Sequence, residues 1–196
     1  MDGIKLAHNF TGVSVRVLQW IFLLIGIICL GLYGFFKVEA YVHQTELESM
    51  LDVEPPHVTA DIPVPKRTLQ EGDLFGRLEI PRLNMSVMVM EGVSDRTLRL
   101  GAGHIPGTPL GIAAHRDSFF RPLKDIKKGD TIKFATVDGT TDYRVTATEI
   151  VGPKDTSVLD NKSEDAMTLV TCYPFYYLGA APKRFIVQAE KNQTQN

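Results

Sequence analysis

Residues 17–36 form an apolar run of twenty in which Gln19 is the only strongly polar side chain. Nothing else in the chain constrains its fold as tightly. At about 1.5 Å of rise per residue, a helix of this length covers roughly 30 Å, the thickness of a bilayer's hydrocarbon core. Gly26, Gly31 and Gly34 are tolerated inside such a helix. Two other readings compete. One is a buried core helix. The other is a cleavable signal peptide, for which Val38-Glu39-Ala40 loosely resembles a small-residue cleavage site, although the apolar region is long for one. The reading adopted is an uncleaved transmembrane signal anchor over 17–36.

The flanks orient that anchor. Lys5 and Arg16 precede it, whereas Lys37 is followed by Glu39, Glu46, Glu48, Asp52 and Glu54. The positive-inside rule then puts residues 1–16 in the cytoplasm and residues 37–196 outside it, a single-pass arrangement in the cell membrane. Residues 37–70 hold three basic and six acidic side chains. The net charge of the whole chain is −2. A near-neutral domain on an acidic stalk is a poor binder of nucleic acid. In that stalk, residues 40–51 can prolong the membrane helix by a few turns. Pro55, Pro56, Pro63 and Pro65 then favour an extended linker.

From about residue 71 the pattern turns to β. Residues 75–80 alternate, residues 85–90 are apolar on both faces, and residues 111–114 form a short apolar strand. Residues 131–137 and 140–150 flank Asp138-Gly139, a dipeptide suited to a type I′ hairpin turn. Residues 168–172 and 184–189 complete the set. Residues 93–100 read as a helical turn and 119–126 as one short helix limited by Pro122. Residues 101–110, with three glycines and two prolines, read as loop. About seven short strands with little helix predict a small barrel or sandwich over 71–196.

Cys172 is the only cysteine outside the apolar run, since Cys29 lies within it. No disulfide can form inside the outer domain, and an unpaired exported thiol is either an inert buried residue or a reactive one. Arg184 lies at the far side of an eleven-residue connection, 173–183. If the flanking strands pair antiparallel, Cys172 and Arg184 meet at the mouth of the hairpin, beside a wall of aromatic residues. A thiol near pKa 8.5 is mostly protonated at pH 7, so such chemistry calls for a cation or a base close by. Among five histidines, His115 at a strand end is better placed than His104 in the glycine-rich stretch. Arg116 and Asp117 read as a structural ion pair, and Lys124, Lys127 and Lys128 as a solvated edge. Scattered histidines and one cysteine offer no close pair of metal ligands, so no metal and no cofactor is expected. There is no phosphate loop and no Gly-x-Ser-x-Gly elbow.

Thr168-Leu169-Val170-Thr171-Cys172-Tyr173-Pro174, followed by Ala181-Pro182-Lys183-Arg184-Phe185-Ile186-Val187, resembles the signature of sortases, membrane-anchored cysteine transpeptidases. Ala113-Ala114-His115-Arg116-Asp117-Ser118-Phe119-Phe120 is similar to the family's histidine segment. Gly103-His104-Ile105-Pro106-Gly107-Thr108 is similar to the stretch before it. The wording is nearest to class D, and the resemblance runs from about residue 75 to 189. It implies a mainly β, eight-stranded sortase barrel with short helices behind one N-terminal transmembrane helix. It further implies Cys172 as nucleophile, His115 as general acid and Arg184 as ligand of the substrate and its oxyanion. Thr171 and Tyr173, flanking the nucleophile, are the expected substrate-binding neighbours, Thr171 through its backbone N–H.

The implied partners are secreted proteins with a C-terminal Leu-Pro-x-Thr-Gly-like sorting signal and an amine acceptor, either a cell-wall precursor or a pilin lysine. Only residues 109–114 separate Thr108 from His115, fewer than in related sortases, which predicts a tight or distorted connection. Glu54-Pro55-Pro56 and Asp61-Ile62-Pro63 do not match the Asp-Pro-aromatic lid of pilus-building members, so no such lid is expected. The alternative function is a silent anchored β-domain that binds peptide partners. A related cysteine hydrolase is a third, while Thr171-Cys172 departs from the Ser-x-Gly-Cys setting of other cell-wall transpeptidases.

Overall fold

The structure, a computed structural model, describes residues 7–51, 69–160 and 163–192. The proline-bearing part of the stalk, with the segments compared with a lid motif, lies outside the described residues. The chain divides into two compact units, Met1–Tyr41 and Val42–Asn196. The first is made of a helix, α1, that runs over Ala7–Leu51 and so crosses into the second. Its stretch Val15–Glu39 is 25 residues long and apolar enough to cross a membrane, and none of it is buried against protein. Exposed Leu, Ile and Phe side chains all round a helix are stable in hydrocarbon, not in water.

The second unit is a closed eight-stranded barrel in the order β1-β2-β3-β4-β7-β8-β6-β5. The strands are β1 Leu74–Ile80, β2 Met85–Glu91, β3 Ala102–His104, β4 Gly111–Ala113, β5 Thr131–Thr136, β6 Gly139–Val151, β7 Ala166–Tyr173 and β8 Lys183–Lys191. A short helix, α2, spans Asp95–Leu100, and its Ser94 hydroxyl accepts from the Thr97 N–H as an N-cap. Alternating side chains fill the interior: Leu78, Ile80, Val87, Val89, Ile112 and Leu169 are all at most 2% exposed. Closure removes the free edges that a sandwich of this size would have to protect.

Three expectations from the sequence need correction. Residues 101–110 are not all loop, because β3 pairs parallel to β2 and antiparallel to β4. Its glycine is there for close packing: a Cβ on Gly103 would stand 2.2 Å from the Gly92 carbonyl oxygen. The β5–β6 turn is centred on Val137-Asp138, one residue earlier than expected, since Thr136 pairs with Gly139. Neither central residue has a positive φ, so the turn is not type I′; Gly139 takes φ +130° at the start of β6. Residues 119–126 hold only a 3₁₀ helix at Arg121–Asp125, started by Pro122.

The short connection ahead of His115 is tight without a break in the ladder. Ile105 N–H donates to Gly111 O at 2.8 Å, and the Thr108 hydroxyl both donates to Ile105 O and accepts from Gly111 N–H. His104, 7% exposed, faces two acceptors, Glu91 Oε2 at 2.8 Å and Thr108 O at 3.1 Å, and stacks on Phe75. Of the two histidines weighed from sequence, this one is built into the barrel.

Gly103→Ala is expected to lower stability by about 1–3 kcal/mol, because backbone and not a flexible side chain opposes the new methyl. Gly152→Ala, which meets nothing within 4 Å, should stay within about 0.5 kcal/mol of wild type in urea unfolding. A clamp far from β3 yields a pH prediction. Arg82 donates from Nε and Nη2 to the two Asp130 oxygens at 2.5 Å, and Lys127 N–H donates to Oδ2. The Arg82 hydrogen bond is the main reason the Asp130 carboxyl titrates below its ordinary value. A depressed carboxyl stabilises the fold above its unfolded pKa and loses that contribution as pH falls through the folded one. The melting-temperature gap between wild type and Asp130→Asn should therefore be full at neutral pH and close below about pH 4.

Candidate active site

The antiparallel ladder of β7 and β8 pairs Cys172 directly with Arg184. Met167 and Leu169 on β7, and Val187 and Ala189 on β8, belong to the barrel core. Side chains alternate, so Cys172 and Arg184 share the opposite, outward face. The thiol is half-buried and free. Burial of the core residues therefore dictates on which side the thiol and the guanidinium emerge.

On the other side of β7 runs β4, parallel, with Ile112 beside Leu169 and Ala113 beside Val170. The regular strand ends at Ala113, yet the pairing goes on. Ala114 N–H donates to Val170 O at 3.3 Å, and the Thr171 hydroxyl donates to Ala114 O at 2.7 Å. His115 follows Ala114 directly, at the end of β4 where β7 carries Thr171 and Cys172. Ile112 and Ala114 point into the core, so by alternation His115 faces outward, where its side chain is exposed. Three adjacent strands thus bring His115, Cys172 and Arg184 to one end of the barrel and to one face.

The other two expected site residues sit differently. The Thr171 side chain is 2% exposed and turned inward, holding the end of β4 through Ala114 O. Tyr173 also lies on the core-facing side, with its ring 6.1 Å from Phe175 and 6.4 Å from Phe185. Their side chains support the Cys172 strand from behind. The strand alternation alone carried that signal, for once Cys172 faces out its two neighbours must face in.

Arg116 overturns a further expectation. Its guanidinium does not make the expected pair with Asp117; it donates from Nη2 to Tyr177 O at 2.8 Å and Gly179 O at 3.1 Å and lies over the Tyr177 ring. Arg121 lies over Tyr176 in the same way. Two cations from the segment after His115 thus grip the aromatic β7–β8 connection. Lys124 pairs with Asp125 at 2.6 Å, and Lys127 flanks the Asp130 clamp.

Chemically, the face presents a nucleophilic sulfur with a permanent cation across the ladder on one side and an imidazole on the other. That set suits attack on a carbonyl, stabilisation of the oxyanion and protonation of a leaving group. Among the described residues no cluster of three His, Cys, Asp or Glu side chains is arranged to hold a metal. A cavity of about 410 Å³ lined by Phe75, Leu110, Phe134 and Tyr143 contains none of the three residues.

Thr171→Val keeps the volume and removes the donor to Ala114 O. A loss of about 1–3 kcal/mol is expected, since a buried carbonyl loses its side-chain partner. Hydrogen exchange at Ala114 and His115 should accelerate relative to β6, which a uniform loss of stability would not produce.

Comparison with known proteins agrees with this architecture. A family model described as a sortase domain matches residues 78–192. Sortase D of Bacillus subtilis is 33% identical over 130 residues, which cover 62% of this chain and 66% of that protein, just under two thirds of its length. The structure of a Clostridium perfringens sortase D5 transpeptidase superimposes with a TM-score of 0.64 at 24% identity, covering 80% of this chain and 99% of that one. Sortase C1 from Streptococcus suis gives a TM-score of 0.58 at 26% identity over 63% and 75% of the two chains.

Proposed function

Because the chain belongs to the sortase family, we propose that it is a membrane-anchored cysteine transpeptidase acting on C-terminal sorting signals of the Leu-Pro-x-Thr-Gly kind. What supports this reading is the pairing of Cys172 with Arg184 across β7 and β8, with His115 following the Ala114 that the neighbouring Thr171 holds. The Cys172 thiolate attacks the carbonyl carbon of the signal's threonine. The electron pair moves onto the carbonyl oxygen, and the Arg184 guanidinium, permanently charged and rich in fixed donors, holds that oxyanion. Collapse of the tetrahedral adduct breaks the Thr–Gly C–N bond. Protonated His115 hands its proton to the departing glycine amine, leaving a thioester on Cys172.

An acceptor amine then attacks the thioester and gives up its proton to His115. The new amide leaves with the substrate, and the thiolate returns. The acceptor, a cell-wall precursor or a pilin lysine, has to approach from the outward face. Residues 15–39 anchor the enzyme, and the basic side chains Lys5 and Arg16 ahead of them support a cytoplasmic N-terminus with the barrel outside. Secreted proteins would meet the site there.

The test uses the full chain in detergent with a panel of Leu-Pro-x-Thr-Gly peptides and intact-mass spectrometry. An acyl adduct that is lost in Cys172→Ala is expected, together with release of the glycine-bearing fragment. Arg184→Ala should lower kcat by about 10²–10³, the usual cost of removing one oxyanion donor. No adduct on any peptide, with the thiol intact, would leave the silent peptide-binding domain as the better reading. Adduct that water resolves but amines do not would make the protein a hydrolase.

A further inference from the structure

The β7–β8 connection is held at two places by two arginines that take alternate carbonyls along it. Arg116 occupies Tyr177 O and Gly179 O. Arg184 Nη1 occupies Ala181 O at 3.4 Å and Lys183 O at 3.1 Å. Gly179 makes the turn between them with φ +89°, a conformation that strains any side chain whatever the free space. Arg116 follows His115 directly, so one short stretch of backbone links the His115 segment to the carbonyls on which the Arg184 guanidinium rests. Phe175 packs the start of the connection on the core and Arg121 covers the Tyr176 ring, whereas the stretch between the two arginine grips is open, with Leu178 99% exposed.

We propose that Arg116 is a positioning residue that sets the placement of the Arg184 guanidinium through the 177–183 backbone. This rests on the reading of Cys172, His115 and Arg184 as the reacting set. A guanidinium is the group this role needs. Its planar fork reaches two carbonyls while its face covers the Tyr177 ring, which a lysine ammonium on its flexible stem cannot do together. Released at 177–179, the connection lets Ala181 O shift, and the Arg184 side chain loses the acceptor that aims it.

The experiment compares wild type with Arg116→Ala, Arg116→Lys and Gly179→Ala as full chains in detergent, with melting temperature measured for each. Arg116→Ala is expected to lower kcat about tenfold with KM within about twofold, the pattern of an interaction felt in the transition state. Arg116→Lys should recover little of the loss. Gly179→Ala should reproduce it by misdirecting the same carbonyls. Placed on Arg184→Lys, Arg116→Ala should cost less than about threefold more, because residues acting through one another are not additive.

A full tenfold further loss on Arg184→Lys, or unaltered kcat in Arg116→Ala, would overturn the proposal. A readout independent of substrate separates its failure from that of the catalytic reading. Alkylation of Cys172 by iodoacetamide, followed by peptide mapping, should slow several-fold in Arg116→Ala but not when Arg184 is already lysine. Wild-type chain that forms no thioester would remove the transpeptidase reading while this alkylation pattern still decides the coupling. Equal alkylation rates in wild type and Arg116→Ala would end it.

Discussion

The pairing of Cys172 with Arg184 across β7 and β8 is the constraint from which the rest of the site follows. A slip of one residue in that ladder would turn either the thiol or the guanidinium into the barrel, since side chains alternate with a period of two. The slip is resisted on the other face, where Leu169 meets Val187 and Met167 meets Ala189 in the core. Chemistry on the outside of the barrel is thus kept in register by hydrophobic burial on the inside.

The attachment of His115 is of a different kind. β4 is three residues long and supplies few ladder bonds, so its far end depends on side chains. Thr171 holds Ala114 O from within the barrel, the Thr108 hydroxyl closes the turn before the strand, and His104 with Glu91 secures that turn. Backbone packing does the remainder, since only glycine at position 103 lets β3 lie against Gly92 O. The tight connection ahead of His115 is closed by polar contacts and by the absence of a side chain at position 103.

Much of this was legible in the residues. The apolar run, the antiparallel return from Cys172 to Arg184 and the β character of 71–196 are local or periodic signals, and each appears in the structure. β3 escaped because glycine is read as loop, whereas Gly103 serves a close approach to Gly92, eleven residues earlier and just past the end of β2. The β5–β6 turn was misplaced by one residue because Asp138-Gly139 suits a type I′ turn, while the Thr136–Gly139 pairing moves the centre to Val137-Asp138. The pairing assumed for Arg116 was a nearest-neighbour guess, and its partners lie some sixty residues away.

By itself the sequence determined the membrane-length helix, the mainly β domain that follows it and the single thiol outside the apolar run. These depend on composition, periodicity and count, which need no partner. The tertiary structure alone decided which face Cys172 occupies, which histidine is built into the barrel and what Arg116 holds. Those properties are set by strand order and register, by β4 lying against β7 and β7 against β8. No local pattern encodes that order, because closing the barrel brings together strands far apart in the chain.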